Sequence, residues 1–295
     1  MKTYLVTGAT GGLGFNISNF LSQMPENRVI LAVRDTDRGN VVSNRMGKNV
    51  EAVNLNLSSL KSIDAFTSSW KGELTGLVNN AGCQIVNETR FTKEEHFEET
   101  FAVNHLAALK LTMDLLPFIH GGRVLFIGSG THNPNYRAAT IFGFRGARYK
   151  SIKKCAEGLD EEGPIKQIGF DRYATSKFLT TVTTIELARR IVPEKALFFC
   201  LDPGLMPGTG LARTAAAPMQ FIWKNILPIL GKFLPGTSTA RRSAQTAVWI
   251  MSSKEVRMKS GTIFSYNRKP SKAVWSKAFD KKIGREVIDD SLKLL

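Results

Sequence analysis

Short β-branched and apolar runs alternate along the chain with longer segments whose apolar positions recur at helical spacing. That alternation is the signature of βαβ units feeding a parallel sheet. Seven runs are strand candidates: 3–6, 28–33, 50–55, 74–79, 123–128, 196–201 and 262–266. Between the first two, Leu13, Ile17, Phe20, Leu21 and Met24 follow i, i+4, i+7, i+8, i+11 spacing and fall on one helix face. Strand, glycine turn and helix therefore follow in order.

Two regions break the rhythm. The stretch at about 130–172 carries Phe142, Phe144, Arg145, Arg148, Tyr149, Lys153 and Lys154 and fits no simple crossover. A connection that long inside one domain is usually functional. At about 211–236 the chain is strongly apolar, with Phe221, Ile222, Trp223, Ile226, Leu227, Ile229, Leu230, Phe233 and Leu234 between Pro218 and Pro235. This stretch reads either as a core helix or as a mobile cover over an apolar substrate, and the cover is the reading adopted. The expected organisation is a single nucleotide-binding domain over 1–295 with these two elaborations.

Composition narrows the class without deciding the function. With 43% hydrophobic and 22% charged residues among 295, the chain can build a sizeable core, which excludes collagen, coiled coil and disorder. Forty basic against twenty-five acidic residues give +15, and the excess is late, thirteen against five over 241–295. Such a balance attracts anions of some kind, yet no nucleic-acid recognition motif accompanies it, so no nucleic-acid partner is expected. Three scattered cysteines make neither a disulfide framework nor a CxxC metal site, so no metal is expected. The opening residues read as a strand rather than an export signal, so none is expected, and Lys224, Pro228 and Lys232 interrupt the longest apolar region. A cytoplasmic location is expected, with peripheral membrane contact through the apolar cover and basic tail as an open option. Whether the chain is a monomer or a homo-oligomer stays undecided.

Residues 7–14 read Thr-Gly-Ala-Thr-Gly-Gly-Leu-Gly, directly after the first strand and at the opening of the first helix. Gly8, Gly12 and Gly14 permit a turn that side chains would obstruct and let the backbone approach a pyrophosphate. The helix N-terminus adds N–H groups and a positive dipole end. The pattern predicts a dinucleotide site on an α/β fold of the Rossmann type, a doubly wound, parallel, seven-stranded sheet with helices on both faces. The second strand candidate ends Ala-Val-Arg-Asp at 32–35, and an arginine at 34 suits the 2′-phosphate of NADP(H). Asp35 beside it could instead bind the ribose of NAD(H), which is the less favoured cofactor.

Tyr173 and Lys177 stand four residues apart in a segment that reads as a helix beginning at the tyrosine, which puts phenol and ammonium on one face. A nearby cation, here Lys177 helped by an oxidised nicotinamide, is expected to lower the phenol's pKa from about 10 toward the working range of an acid/base. Ser129 follows the fifth strand candidate, Asn79-Asn80-Ala81-Gly82 ends the fourth, and Asn104 falls in the helix between. Carboxyl ends of parallel strands are where α/β folds place ligands.

The set formed by TGxxxGxG at 7–14, NNAG at 79–82, Asn104, Ser129, Tyr173/Lys177 and Pro203-Gly204 resembles the short-chain dehydrogenase/reductase family. Within it the chain is similar to the light-dependent protochlorophyllide reductases and their relatives, in the long insert, in Thr209-Gly210-Leu211-Ala212-Arg213 and in the segment 260–267. It departs from them at Leu205, where those reductases carry a cysteine. The resemblance implies that Ser129 holds the substrate oxygen, Tyr173 is the acid/base, Lys177 binds the nicotinamide ribose and tunes the tyrosine, and Asn104 anchors a water in the proton relay. It implies cofactor contacts from Gly8, Thr10, Gly11, Gly12, Leu13, Gly14 and Arg34, from Asn56-Leu57 near adenine, from Asn80, Ala81 and Gly82, and from Pro203-Gly204 near the nicotinamide. The implied activity is NADP(H)-dependent hydride transfer to or from a carbonyl, an alcohol or an activated double bond of a bulky hydrophobic substrate. A catalytically silent NADP(H)-sensing or protein-binding module is the alternative.

Overall fold

The central strands of this protein bury both of their faces, and their residues alternate between two cores; the edge strand at Val50–Asn54 leaves Glu51 and Asn54 exposed. In the first strand Tyr4 and Val6 enter one core and Leu5 the other; in the second, Val29, Leu31 and Val33 oppose Ile30 and Ala32. Parallel sheets covered on both sides read as near-continuous apolar runs for that reason. The computed structural model describes residues 1–158, 162–207, 236–256 and 259–295. All seven strand candidates are strands: β1 (Lys2–Thr7), β2 (Asn27–Val33), β3 (Val50–Asn54), β4 (Gly76–Asn79), β5 (Gly122–Ile127), β6 (Ala196–Asp202) and β7 (Ile263–Ser265). They pair in parallel in the order β3-β2-β1-β4-β5-β6-β7. The winding direction reverses between β1 and β4, so the loops leaving those two strands part and open a crevice at their carboxyl ends.

The described helices are α1 (Gly12–Ser22), α2 (Thr36–Met46), α3 (Leu60–Ser68), α4 (Glu99–Phe101), α5 (Ala107–Leu115), α6 (Arg137–Thr140), α7 (Ile152–Glu157), α8 (Ile165–Arg190), α9 (Ala240–Ser252) and α10 (Lys281–Leu292). Leu13, Ile17 and Leu21 of α1, Val42 of α2 and Ala244, Ala247 and Ile250 of α9 cover one face of the sheet. Ile63 of α3, Leu109, Leu111 and Leu115 of α5 and Leu187 of α8 cover the other. A third layer lies outside α8, where Ile152 and Ala156 of α7 and Val287 of α10 meet Leu179 and Val182.

That third layer explains where the sequence pattern misleads. The helix expected to begin at Tyr173 begins eight residues earlier, at Ile165, so the end of the expected insert is helix and Tyr173 and Lys177 lie in its interior. Every residue from Asp171 to Leu187 is buried. With no solvent-facing stripe, the amphipathic period that marks a surface helix is missing. The buried threonines satisfy their hydroxyls locally: Thr180, Thr181 and Thr184 donate to the carbonyls of Ser176, Lys177 and Thr180, each at 2.9 Å. The apolar cover expected at 211–236 and the segment Thr209 to Arg213 lie outside the described residues, except Gly236. Among the described residues no helix is long and apolar enough to cross a membrane.

Candidate active site

The turn between β1 and α1 is shaped by what its glycines lack. A Cβ at Gly8 would lie 2.8 Å from the Ala81 Cα, and one at Gly14 would meet the Asn80 side chain and sit 2.5 Å from the Gly8 carbonyl oxygen. Gly12, at φ +57°, has no atom of the described residues within 4 Å of the Cβ it lacks. Gly11 is the N-cap of α1 and supplies no side-chain cap, and the first turn contains no acid. The leading N–H groups and the positive helix end are therefore presented bare, as a pyrophosphate requires. The residues present fit a dinucleotide. Leu13 contributes main chain only, because its side chain is in the core.

The NNAG segment acts as a splint under this turn. Thr7 Oγ1 accepts hydrogen bonds from the Asn80 and Ala81 N–H groups at 3.0 and 2.9 Å, and Asn80 Nδ2 donates to the Thr7 and Gly8 carbonyls at 2.9 and 3.1 Å. At the far edge, Asp35 caps α2 by accepting from the Arg38 N–H at 3.0 Å. The Arg38 guanidinium comes within 3.9 Å of the Cβ position of Gly11, a neighbour of Arg34 that the sequence reading missed. Asn56 folds onto its own turn, its Oδ1 accepting from the Ser58 N–H at 3.1 Å.

Asn104 lies in a π-helical segment, Ala102–Leu106, between α4 and α5. Its Oδ1 accepts from the Cys83 N–H at 2.8 Å, and its Nδ2 donates to the Cys83 carbonyl and to Ser176 Oγ, both at 2.9 Å. The amide thus ties the loop after β4 to α8, with both its N–H groups engaged. Gly82 admits this packing: a Cβ there would lie 3.1 Å from Asn104 Oδ1 and 3.8 Å from Lys177 Nζ.

Tyr173 and Lys177 are both buried, at 8% and 6% exposure. Lys177 Nζ donates to the Ile127 carbonyl at 2.8 Å and lies 5.6 Å from the Tyr173 ring centroid. The downward pull expected of Lys177 together with an oxidised nicotinamide works against the surroundings of the phenol. Burial raises the Tyr173 pKa, the Asp202 charge raises it further, and Ser129 lowers it by a smaller amount. Burial also brings Lys177 down to about 8, which weakens it as a source of positive charge. The resting phenol is therefore protonated, the form a proton donor needs.

His132 and Ser243, which the sequence did not single out, complete the site together with Phe144 and Pro203-Gly204. His132 Nδ1 meets the Ser129 carbonyl oxygen at 2.5 Å and its Nε2 accepts from the Trp275 N–H at 3.2 Å, so the ring is neutral with its proton on Nδ1. Burial lowers the His132 pKa to about 4, consistent with that form. Phe144, from the insert, stacks near Phe170 and Tyr173 with ring centroids 4.8 and 6.0 Å apart. Gly204, at φ +71°, could not carry a Cβ, which would lie 2.7 Å from the Gly236 carbonyl oxygen and from the Tyr266 ring. Ser243 Oγ fastens this turn by donating to the Pro203 carbonyl at 2.7 Å. Pro203-Gly204 and the aromatic insert were legible in the sequence, whereas His132 and Ser243 carry no signal there. A separate cavity of about 300 Å³ lies against a different side of α8, lined by Glu98, Arg145, Arg172 and Ser176 rather than Tyr173.

The family model described as short chain dehydrogenase matches residues 2–143. The chain is 27% identical to the chloroplastic protochlorophyllide reductase of Chlamydomonas reinhardtii, over 98% of this chain and 74% of that protein. It is 31% identical to the short-chain dehydrogenase fogG of Aspergillus ruber, over 72% of this chain and 62% of that protein. Among solved structures, an uncharacterized protein from Mycobacterium Paratuberculosis matches with a TM-score of 0.72 at 22% identity, covering 100% of this chain and 93% of that one. The 3-ketoacyl-(acyl-carrier-protein) reductase from Brucella melitensis, complexed with NADH, matches at 0.62 and 20% identity, covering 90% and 96%.

Proposed function

The chain belongs to the short-chain dehydrogenase/reductase family and is a nicotinamide-dependent oxidoreductase, and we propose that it uses NADP(H) on a bulky hydrophobic substrate. The reacting group is a carbonyl or alcohol, or an activated double bond. The observation that carries this reading is the buried, protonated Tyr173 beside Ser129 and Lys177, whose ammonium bonds the last residue of β5, at the same sheet end from which β1 leads into the bare N-terminus of α1. The nicotinamide, when bound, supplies or accepts hydride. Ser129 orients the substrate oxygen, with its own backbone fixed by His132. Tyr173 holds the proton that this oxygen gains or loses. Asn104 keeps the Cys83 loop against α8 so that the crevice retains its shape.

Two features support the finer assignments. Asp35 is committed to capping α2, while Arg34 and Arg38 are exposed at the edge where a 2′-phosphate would stand. Phe144 and Phe170 give the approach to Tyr173 an aromatic wall, which suits a flat apolar substrate better than a small polar one. Tyr173→Phe tests the mechanism: turnover of a hydrophobic carbonyl panel with NADPH should fall by about 10³-fold, near the contribution of a positioned acid/base, while NADPH affinity stays within about twofold. Full turnover by the phenylalanine variant would refute it.

A further inference from the structure

The last residue of β6, Asp202, lies directly before Pro203-Gly204 and is 8% exposed. Its carboxylate is surrounded by donors. Gly204 N–H reaches Oδ1 at 3.2 Å, the Ser271 hydroxyl reaches Oδ2 at 3.2 Å, and the Gly130 N–H adds a third bond. An ionised carboxylate can only accept, so three donors match the charged form. Burial opposes them by raising the Asp202 pKa. Among the described residues no salt bridge reaches this carboxylate, and its charge falls instead on the phenols of Tyr136 and Tyr173. A buried carboxylate with hydrogen bonds and no cation is an unbalanced charge in a low-dielectric setting.

A nicotinamide ring is neutral when reduced and carries one positive charge when oxidised. We propose that Asp202 is the residue that selects the redox state of the cofactor: its carboxylate under the nicotinamide site favours the oxidised, cationic ring and so poises the enzyme to reduce its substrate. The proposal rests on the function proposed above and on the placement of the nicotinamide beside Pro203-Gly204 that the family resemblance implies. In the reduction of a carbonyl, a hydride with its two electrons passes from NADPH to the carbonyl carbon. The Tyr173 proton passes to the oxygen, and NADP⁺ and the alcohol leave. Positive charge grows on the ring along that path, where the Asp202 carboxylate stabilises it. The same charge adds to burial in holding the phenol protonated, ready to donate. Both effects of the one charge favour the same direction.

The experiment is a titration of the full chain with NADP⁺ and with NADPH, in the wild type, Asp202→Asn and Ser271→Ala. Removing the charge should weaken NADP⁺ by about tenfold and leave NADPH within about twofold, the size of one pKa unit of differential interaction. Ser271→Ala keeps the charge and should leave the ratio of the two affinities unchanged. Equal weakening of both forms in Asp202→Asn, or the same change of ratio in Ser271→Ala, would make Asp202 a mere fastener of the Pro203-Gly204 turn and overturn the proposal. If Asp202→Asn does not fold, Asp202→Ser gives the same readout. Failure of the wild type to bind either form would remove the nicotinamide site itself, and this proposal with it.

Discussion

The two ends of the crevice are built in opposite ways. The phosphate turn is made of main chain: eight consecutive residues, Thr7 to Gly14, with one side-chain splint from Asn80. The catalytic floor is made of side chains that arrive from far apart in the chain, Ser129 and His132, Tyr173 and Lys177, Asp202 and Ser271. A main-chain site fails when a Cβ intrudes. A floor of buried polar groups fails when a charge or a proton is misplaced, because desolvation magnifies both.

Intrusion should have the largest effect. Gly14→Ala places a methyl against the Gly8 carbonyl and against the Asn80 amide, which its bonds to the Thr7 and Gly8 carbonyls hold in place, and should cost about 3–5 kcal/mol in urea unfolding and abolish dinucleotide binding. Gly12→Ala meets no atom of the described residues and only the strain of φ +57°, about 1 kcal/mol, so a similar loss in both variants would break the contrast.

Protonation of the floor comes next. His132 is held neutral in the folded chain, with its pKa lowered to about 4, while an unfolded histidine titrates near 6.5. Between those values the unfolded chain binds the proton and the folded chain does not, so stability is full above about pH 6.5 and declines as pH falls toward 4. His105, lowered to about 3 by burial, acts in the same sense. His132→Gln should reduce the decline between pH 6.5 and 4.5 by roughly 2–3 kcal/mol, read from urea curves at each pH. An unchanged slope would mean that the folded chain accommodates the charged ring.

The smallest effect belongs to the exposed edge of the turn. Arg34→Ala should weaken NADPH by about tenfold and leave NADH unchanged, since solvent moderates a surface contact to phosphate. Equal loss for both cofactors would count against the 2′-phosphate assignment and sharpen the case that Arg34 serves the turn generally.

Much of this was legible along the chain. All seven strands fall where the apolar runs place them, and the turn's glycines sit where a Cβ would collide or a positive φ is required. These are local properties, fixed by a few neighbouring residues. The extent of α8 was hidden because a helix buried on every side carries no polar stripe. His132 and Asp202 were hidden for another reason: each is an ordinary polar residue until folding encloses it.

What the amino-acid order determined by itself is the alternation of strand and helix, the turn that can receive a pyrophosphate, and the presence of Tyr173, Lys177, Ser129 and Asn104. Folding decided their ionisation. The same phenol and ammonium that would assist one another in water are driven by shared burial toward their neutral forms, and the nearby carboxylate of Asp202 strengthens that for the phenol. Charge depends on surroundings in three dimensions, and those surroundings are assembled from residues that the linear chain keeps apart.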